Sequence, residues 1–517
     1  MEPKQNHPPS EIKEQVEIRP QRPKSKTTRG IRSRGSSSLT ERPHSKFYYF
    51  WYFANTIWAV LAFPLGLSAI SFVRSHRKQN VTTTPSPVAI EPVASAQTRT
   101  RLLAAGPKTL GFRKSKNVEM GQSVKSCNRE RLPLNKTWRP PFTDFVEDYP
   151  YVEPVKGPVF CVFNHSSYKR HQDWAFRTGY INGHLCTHVI YASAMISEDE
   201  LVSADPAFDI VKEGFRNLAL LKSRYAHLKV LVSFGEYERD TAILSLLTSS
   251  PTRRTAFALN VRAWLNEYDY DGVNVHWMHP AGRCGSSEDS PSLVKMVEKL
   301  RSVMDKNYTI SLTFTSSATL RKRGYDLRGF VHAVDHFIVQ THDLYDSTSA
   351  TVHCACPYSN GEWSLSRVLA EVTTELKEVA ATKLCFGVSL GGISFRIRGI
   401  SSAQGSRQKF DKEYGVGMEG EYTRTRGRLA FYEACSMKNV ESFLDFRELC
   451  SFMVREHHWI GYETPLSLAS KLSEVFRKFG VSCVAVWDID MDDFKGACKL
   501  GQTPLLSAVN REVANAA

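Results

Sequence analysis

Beyond residue 125 the sequence has no net charge. Residues 1–125 hold 21 Lys and Arg against 7 Asp and Glu, so the remaining positions hold 46 of each (67 minus 21, 53 minus 7). The formal charge of +14 therefore belongs to the N-terminal tail, and the rest of the chain has no surplus to offer phosphates, which argues against a nucleic-acid-binding protein. Cysteine is too sparse, at eleven in 517 residues, for a small disulfide scaffold and too frequent for a typical cytosolic protein. An odd number leaves at least one unpaired. The histidines do not gather into a ligand set: His457 with His458, and His353 near Cys354 and Cys356, lack the partners that zinc requires, so neither a metal nor a cofactor is expected.

The first 46 residues lack apolar periodicity. Rich in Pro, Ser, Lys and Arg, they cannot bury enough surface to fold. Phe47 to Val73 lacks charge altogether, and its roughly 27 residues at about 1.5 Å each exceed the ~30 Å of a bilayer core. A cleaved signal peptide is the rival reading, but the preceding tail and the length of the run favour an uncleaved signal anchor. Arg29, Arg32, Arg34, Arg42 and Lys46 precede the run and Arg74, Arg77 and Lys78 follow it, a balance that places the N-terminus on the cytoplasmic side. A single-pass type II protein is thereby expected, with residues 74–150 as a polar stem and 151–517 extracellular or lumenal. On that side Asn80, Asn135, Asn164 and Asn307 are glycosylation acceptors.

From about residue 157, β-branched runs alternate with helical patterns such as "SPSLVKMVEKLRSVMDKN". The runs are "PVFCVF", "CTHVIYAS", "LKVLVSFG", "YDGVNVHW", "YTISLTF", "DHFIVQTH", "KLCFGVSL" and "VSCVAVWDID". Eight strands separated by helices over some 350 residues predict an α/β fold, a parallel (β/α)8 TIM barrel; an open doubly wound sheet is the competitor.

Within this region "CVFNHSSYKR", "LCTHVIYASAMIS", "LKVLVSFGEYERD", "YDGVNVHWMHP", "RGRLAFYEAC", "HHWIGYETPLSLASKL" and "VAVWDIDMDDFKGAC" occur in an order that resembles the glycoside hydrolase family 18 chitinases and their chitinase-like relatives. The resemblance spans roughly Pro158 to Val509. It implies a barrel with a small α+β insertion before the last strand, here about 396–464, and disulfides joining Cys161 to Cys186 and Cys435 to Cys498. Cys127, Cys284, Cys354, Cys356, Cys385, Cys450 and Cys483 match no family pair, and Cys385 and Cys483 are expected as buried small apolar residues.

The family's catalytic strand reads D-x-x-D-x-D-x-E. The resemblance implies that its glutamic acid protonates the glycosidic oxygen while the substrate's own N-acetyl group attacks the sugar carbon, steadied by the neighbouring aspartate, an exception to the two-carboxylate scheme. Here Asp271 keeps the first position, but Asn274, His276 and Met278 occupy the other three. Methionine has no proton to give, and loss of a positioned acid costs about 10² to 10⁴ in rate. Elsewhere the sugar site has drifted. "QTHD" places His342 where the family has a tyrosine and keeps Asp343; Tyr237 stands for a tryptophan and Glu236 for a glycine; Gly391 and Ile393 stand for a tyrosine and an arginine. Trp487 retains the family's pocket floor. The acidic run Asp488, Asp490, Asp492 and Asp493 matches a turn that caps the following helix rather than a metal site.

These residues predict a catalytically inactive, membrane-anchored chitinase-like protein whose ligand is chitin or N-acetylglucosamine oligomers, with Trp487, Asp343, His342 and Tyr237 as sugar-binding candidates. Two alternatives are a glycosidase with altered machinery, using Glu236 or Asp343, and a protein-interaction scaffold without sugar binding.

Overall fold

The computed structural model describes residues 149–516 apart from 155, 283, 360, 362 and 399–411. The basic tail, the apolar run 47–73, nearly all of the stem, Asn80, Asn135 and Cys127 lie outside the described residues. Among the described residues no helix is long and apolar enough to cross a membrane.

Eight parallel strands close into a barrel. β1 (Val159–Asn164), β2 (His188–Ser197), β3 (Lys229–Phe234), β4 (Gly272–Val275), β5 (Thr309–Thr315), β6 (His336–Gln340), β7 (Leu384–Ser389) and β8 (Cys483–Trp487) pair in chain order. β8 returns to β1, with Val484 opposite Val159. Each strand reads as a continuous apolar run because both of its faces are covered. Phe160 and Val162 of β1, with Ile190, Leu231, Ile338, Ala485 and Trp487, form the interior cluster. Their neighbours Val159, Cys161, Phe163, Val189, Val230 and Val232 pack in the larger cluster shared with the helices, as a period of two requires.

Helix ends aim the chain into the strands. The helix Pro251–Tyr268 begins with the Ser250 hydroxyl accepting from Arg253 N and a proline in its first turn, and it ends on Asp269 in the left-handed region at φ 57°, three residues before β4. Similarly Thr464 and Ser467 cap Pro465–Phe479, which stops at Gly480 with φ 67° just before β8.

Between β7 and β8 lies an antiparallel sheet built from Gly392–Ile397, Lys412–Val416, Ser442–Asp445, Cys450–Arg455 and His458–Tyr462. It starts at Gly392, earlier than the expected boundary near residue 396. Leu390 N still bonds Trp487 O at 2.8 Å, and the chain leaves the barrel through two glycines where side chains have no room: a Cβ on Gly391 would lie 2.8 Å from Met491 Cε, and one on Gly392 3.0 Å from Gly461 O.

Disulfides join Cys161 to Cys186 and Cys435 to Cys498. Two more form among the seven cysteines that match no family pair: Cys354 bonds Cys450, and Cys385 bonds Cys483. Cys385 and Cys483 are not merely small apolar residues. They are register partners on β7 and β8, both inside the barrel, with Cα atoms 4.4 Å apart. At a sequence separation of 98 it is the pairing of β7 with β8 that brings them together. Cys284, exposed, and Cys356, buried, carry free thiols; burial pushes the Cys356 thiol up to about 12.

A buried ion pair ties the end of this insertion to the helix Pro465–Phe479 that leads into β8. Lys471 donates to Glu463 and, at 2.6 Å, to Cys356 O, while Ser467 Oγ donates to the second Glu463 oxygen at 2.6 Å. Burial nevertheless holds the Glu463 carboxyl above its usual range. Removing one partner strands the other charge, so Lys471→Met is expected to cost about 3–5 kcal/mol in guanidinium denaturation, and the double variant Glu463→Gln/Lys471→Met appreciably less.

Candidate functional site

The C-terminal ends of the strands form the mouth where barrels of this kind place their sites. β4 carries the degenerate motif toward it. Asp271, just before the strand, sits at the opposite end, where Val230 N donates to it at 2.9 Å and Lys222 pairs with it at 3.2 Å. Its role is to fix the start of β4.

Asn274 is fully engaged inside the barrel. Its amide nitrogen donates to Ser233 Oγ at 2.9 Å, and its oxygen accepts from Ser311 Oγ and Thr313 Oγ1, both at 2.9 Å. The side chain thus bridges β3, β4 and β5 without carrying charge. His276, only 3% exposed, lies with Nδ1 3.1 Å from Glu236 Oε1, though off hydrogen-bonding alignment, and its Nε2 has no partner. Ser233 Oγ donates to the same Glu236 oxygen at 2.5 Å. Despite burial, His276 and the hydroxyls of Ser233 and Ser193 hold the Glu236 carboxyl below its ordinary range. Met278 is half-buried at the mouth. Between these positions Trp277 turns outward, fully buried among the helices, with its indole N–H on Thr241 Oγ1 at 3.2 Å.

Across the barrel, His342 and Trp487 stack face to face, their centroids 4.2 Å apart and their planes 5° apart. Trp487 is left only 8% exposed and His342 7%. The imidazole therefore covers one face of the ring that sequence reasoning assigned to a sugar. That contact went unseen because it depends on register between β6 and β8, which no local pattern reports. Burial holds the His342 imidazole below its ordinary pKa, favouring the neutral ring. Asp343, with a side chain 47% exposed, lies 3.7 Å from His342 Nε2. Tyr237 stands half-buried at the end of β3, its hydroxyl pushed up to about 12, chiefly by burial. Gly391 leaves its position to the Met491 side chain, whose Cε would lie 2.8 Å from an added Cβ, and Ile393 is buried in the inserted sheet.

The acidic run after β8 serves structure. Asp490 pairs with Arg170. Asp492 accepts from Leu505 N at 3.2 Å and Leu506 N at 2.8 Å, the first turn of the final helix Pro504–Ala516. Asp493 accepts from Ala497 N and Cys498 N. Asp488, beside Trp487, is pushed up to about 6 by burial and by Asp490, with Arg428 at 3.7 Å opposing. Asn164 is half-buried and its amide oxygen accepts from Ser166; Asn307 is exposed in a turn.

Burial raises the Asp492 carboxyl to about 7, above the ~3.9 of an unfolded chain. The folded state therefore holds the extra proton between those values, and the stability it gives is present below about pH 4 and lost as pH rises to about 7. Asp492→Asn, which keeps an accepting oxygen, is expected to remove this part of the pH dependence; thermal unfolding followed between pH 4 and 7 checks it.

With this geometry described, three comparisons bear on the site. The profile of glycosyl hydrolases family 18 matches residues 159–492. An endochitinase of Manduca sexta is 26% identical over 348 residues, 64% of this chain, which spans 62% of that protein's length. Human chitinase-3-like protein 2 is 24% identical over 69% of this chain and 92% of its own. Among solved structures, an Ostrinia furnacalis group IV chitinase superposes with a TM-score of 0.63 at 22% identity, covering 70% of this chain and 100% of its own. Human YKL-39, described as a pseudo-chitinase with retained chitooligosaccharide binding, superposes at 0.61 with 21% identity, covering 69% and 99%.

Proposed function

The chain belongs to glycosyl hydrolase family 18, and we propose that it is a member without the acid step, a chitinase-like protein that binds chitin-derived N-acetylglucosamine oligomers and does not cleave them. The observation that carries this is the pair Asn274 and Met278. Where the family resemblance requires a stabilising carboxylate and a proton donor, the chain has an amide saturated by three hydroxyls and a thioether. His276 is no substitute: it faces the Glu236 carboxylate, and a proton placed there sits beside a developing cation. Glu236, held on the ionised side of its ordinary range, is poorly suited to donate a proton.

Sugar binding rests on Trp487, with Asp343 and Tyr237 at its margin. Its ring offers the flat apolar face on which a pyranose stacks once His342 moves aside. The human pseudo-chitinase of the same fold, described as retaining chitooligosaccharide binding, supports the reading. A membrane-anchored, outward-facing barrel supported on a stem is part of the same proposal. The four disulfides fit an oxidising compartment, and Asn307 is an exposed acceptor for a glycan there.

The test is calorimetric titration of the full-length chain with N-acetylglucosamine oligomers. Saturable binding without continuing heat of hydrolysis is expected, and Trp487→Ala should abolish it. Steady release of reducing ends would overturn the proposal, and absence of binding would leave only a protein-interaction scaffold. His342→Ala removes a competing ring contact of about 0.5–1.5 kcal/mol and should tighten binding by roughly two- to tenfold. Met278→Glu alone should restore no turnover, because Asn274 and His276 still withhold the stabilising charge; reducing-end release with chitooligosaccharide measures it.

A further inference from the structure

The barrel's other end holds a second cavity, independent of the mouth. It lies where strands begin and has a volume of about 550 Å³, within the ~300–1,000 Å³ of small-molecule sites. Lys156 precedes β1, Lys229 opens β3, Lys306 precedes β5, and Lys383 precedes β7; all four line it. Thr309, Thr382 and Ser482 add hydroxyls, and His336, the first residue of β6, adds an imidazole. No phenyl, phenol or indole ring is among the lining residues, so nothing there offers a stacking platform. In a chain whose portion beyond residue 125 is neutral, this concentration of positive charge is local.

Its compensation is missing. Asp335 is the single carboxylate of the lining, and it is committed to Arg301 at 2.5 Å and to Ile310 N at 2.8 Å. Among the described residues no carboxylate pairs with any of the four lysines. A second observation points the same way. Beneath the cavity, the His188 and His336 rings lie 5.5 Å apart. His188 is 7% exposed and spends Nδ1 on Thr187 at 2.8 Å, leaving Nε2 buried with no partner; His336 Nδ1 is likewise buried and unpartnered. Buried polar atoms are rarely left unsatisfied, and four exposed lysines around one cavity give it a positive potential that favours an anion. Burial lowers the His336 imidazole to about 4, opposed by Asp335 and helped by Lys229 and Lys383; an anion would offset both lysines.

We propose that this cavity binds a phosphate monoester, held by Lys156, Lys229, Lys306 and Lys383 with hydroxyl donors from Thr309 and Ser482. The volume exceeds a bare phosphate, so the group arrives on a small polar body, either a free sugar phosphate or the headgroup of an anionic lipid. Recognition is by charge and hydrogen bonds, and it weakens as salt screens the lysines.

The full-length protein in mild detergent is titrated with glucose 6-phosphate, with glucose as control. In a parallel arm it is sedimented with phosphatidylcholine vesicles containing or lacking phosphatidic acid. Saturable, salt-sensitive binding of glucose 6-phosphate but not glucose is expected, weakened at least tenfold in Lys229→Glu/Lys383→Glu and unchanged in Lys438→Glu, an exposed lysine of the insertion. Lysine-dependent binding in the vesicle arm alone assigns the headgroup as the source. Lys229→Gln/Lys383→Gln, with near-ultraviolet circular dichroism as a check on folding, separates lost charge from lost structure. No binding in either arm overturns the proposal, as does binding that survives both lysine pairs or falls equally in Lys438→Glu.

Discussion

Strand parity is the constraint on which this molecule depends. In a closed barrel whose strands are covered on both sides, alternate residues face the interior and the helices, a rule broken here where the register of β2 shifts between Tyr191 and Ala194. Position along β4 therefore decides the environment of each motif residue before its chemistry matters. Asn274 and His276 share the interior parity, while Val275 and Trp277 point into the helical layer. The same parity puts Cys385 and Cys483 inside and Cys161 outside.

Within that frame, the loss of acidic side chains from β4 costs the fold little. A buried carboxylate must be paired or carry a proton, as the raised pKa of Asp488, at the end of β8 on the far side of the barrel, illustrates. An amide at 274 satisfies Ser233, Ser311 and Thr313 with no charge to desolvate. Chemistry and architecture thus part company at a single atom: the oxygen that accepts from two hydroxyls remains, and the second oxygen, which could hold negative charge, has become a donor.

The barrel was legible in the sequence because all eight strands are apolar runs bounded by clear turns, and each of the eight segments does form a strand. Loss of the acid was equally legible, since it is a matter of residue identity. What could not be read locally were contacts between segments distant in sequence. Cys354–Cys450 and Cys385–Cys483 span 96 and 98 residues and carry no family spacing. The His342–Trp487 stack joins β8 to the residue just beyond β6, and the cavity at the strand starts gathers lysines from four separate connections. Segment order predicts a barrel; the partners that meet across it follow from closure and register.

On the proposed reading, the stack at the mouth lets a sugar site persist without catalysis. In an active enzyme the pocket floor must be open, because substrate has to arrive already distorted toward reaction. A binding protein carries no such demand. His342 shields Trp487 from water at the cost of one ring contact, which a pyranose can replace with a contact of similar area. Hydrophobic surface at the mouth is then hidden in the free protein and exposed only to a ligand able to displace the imidazole. Under that proposal the arrangement trades affinity for discrimination: a weakly stacking ligand gains nothing by opening the pair, whereas an oligomer that makes further polar contacts at the mouth recovers the loss.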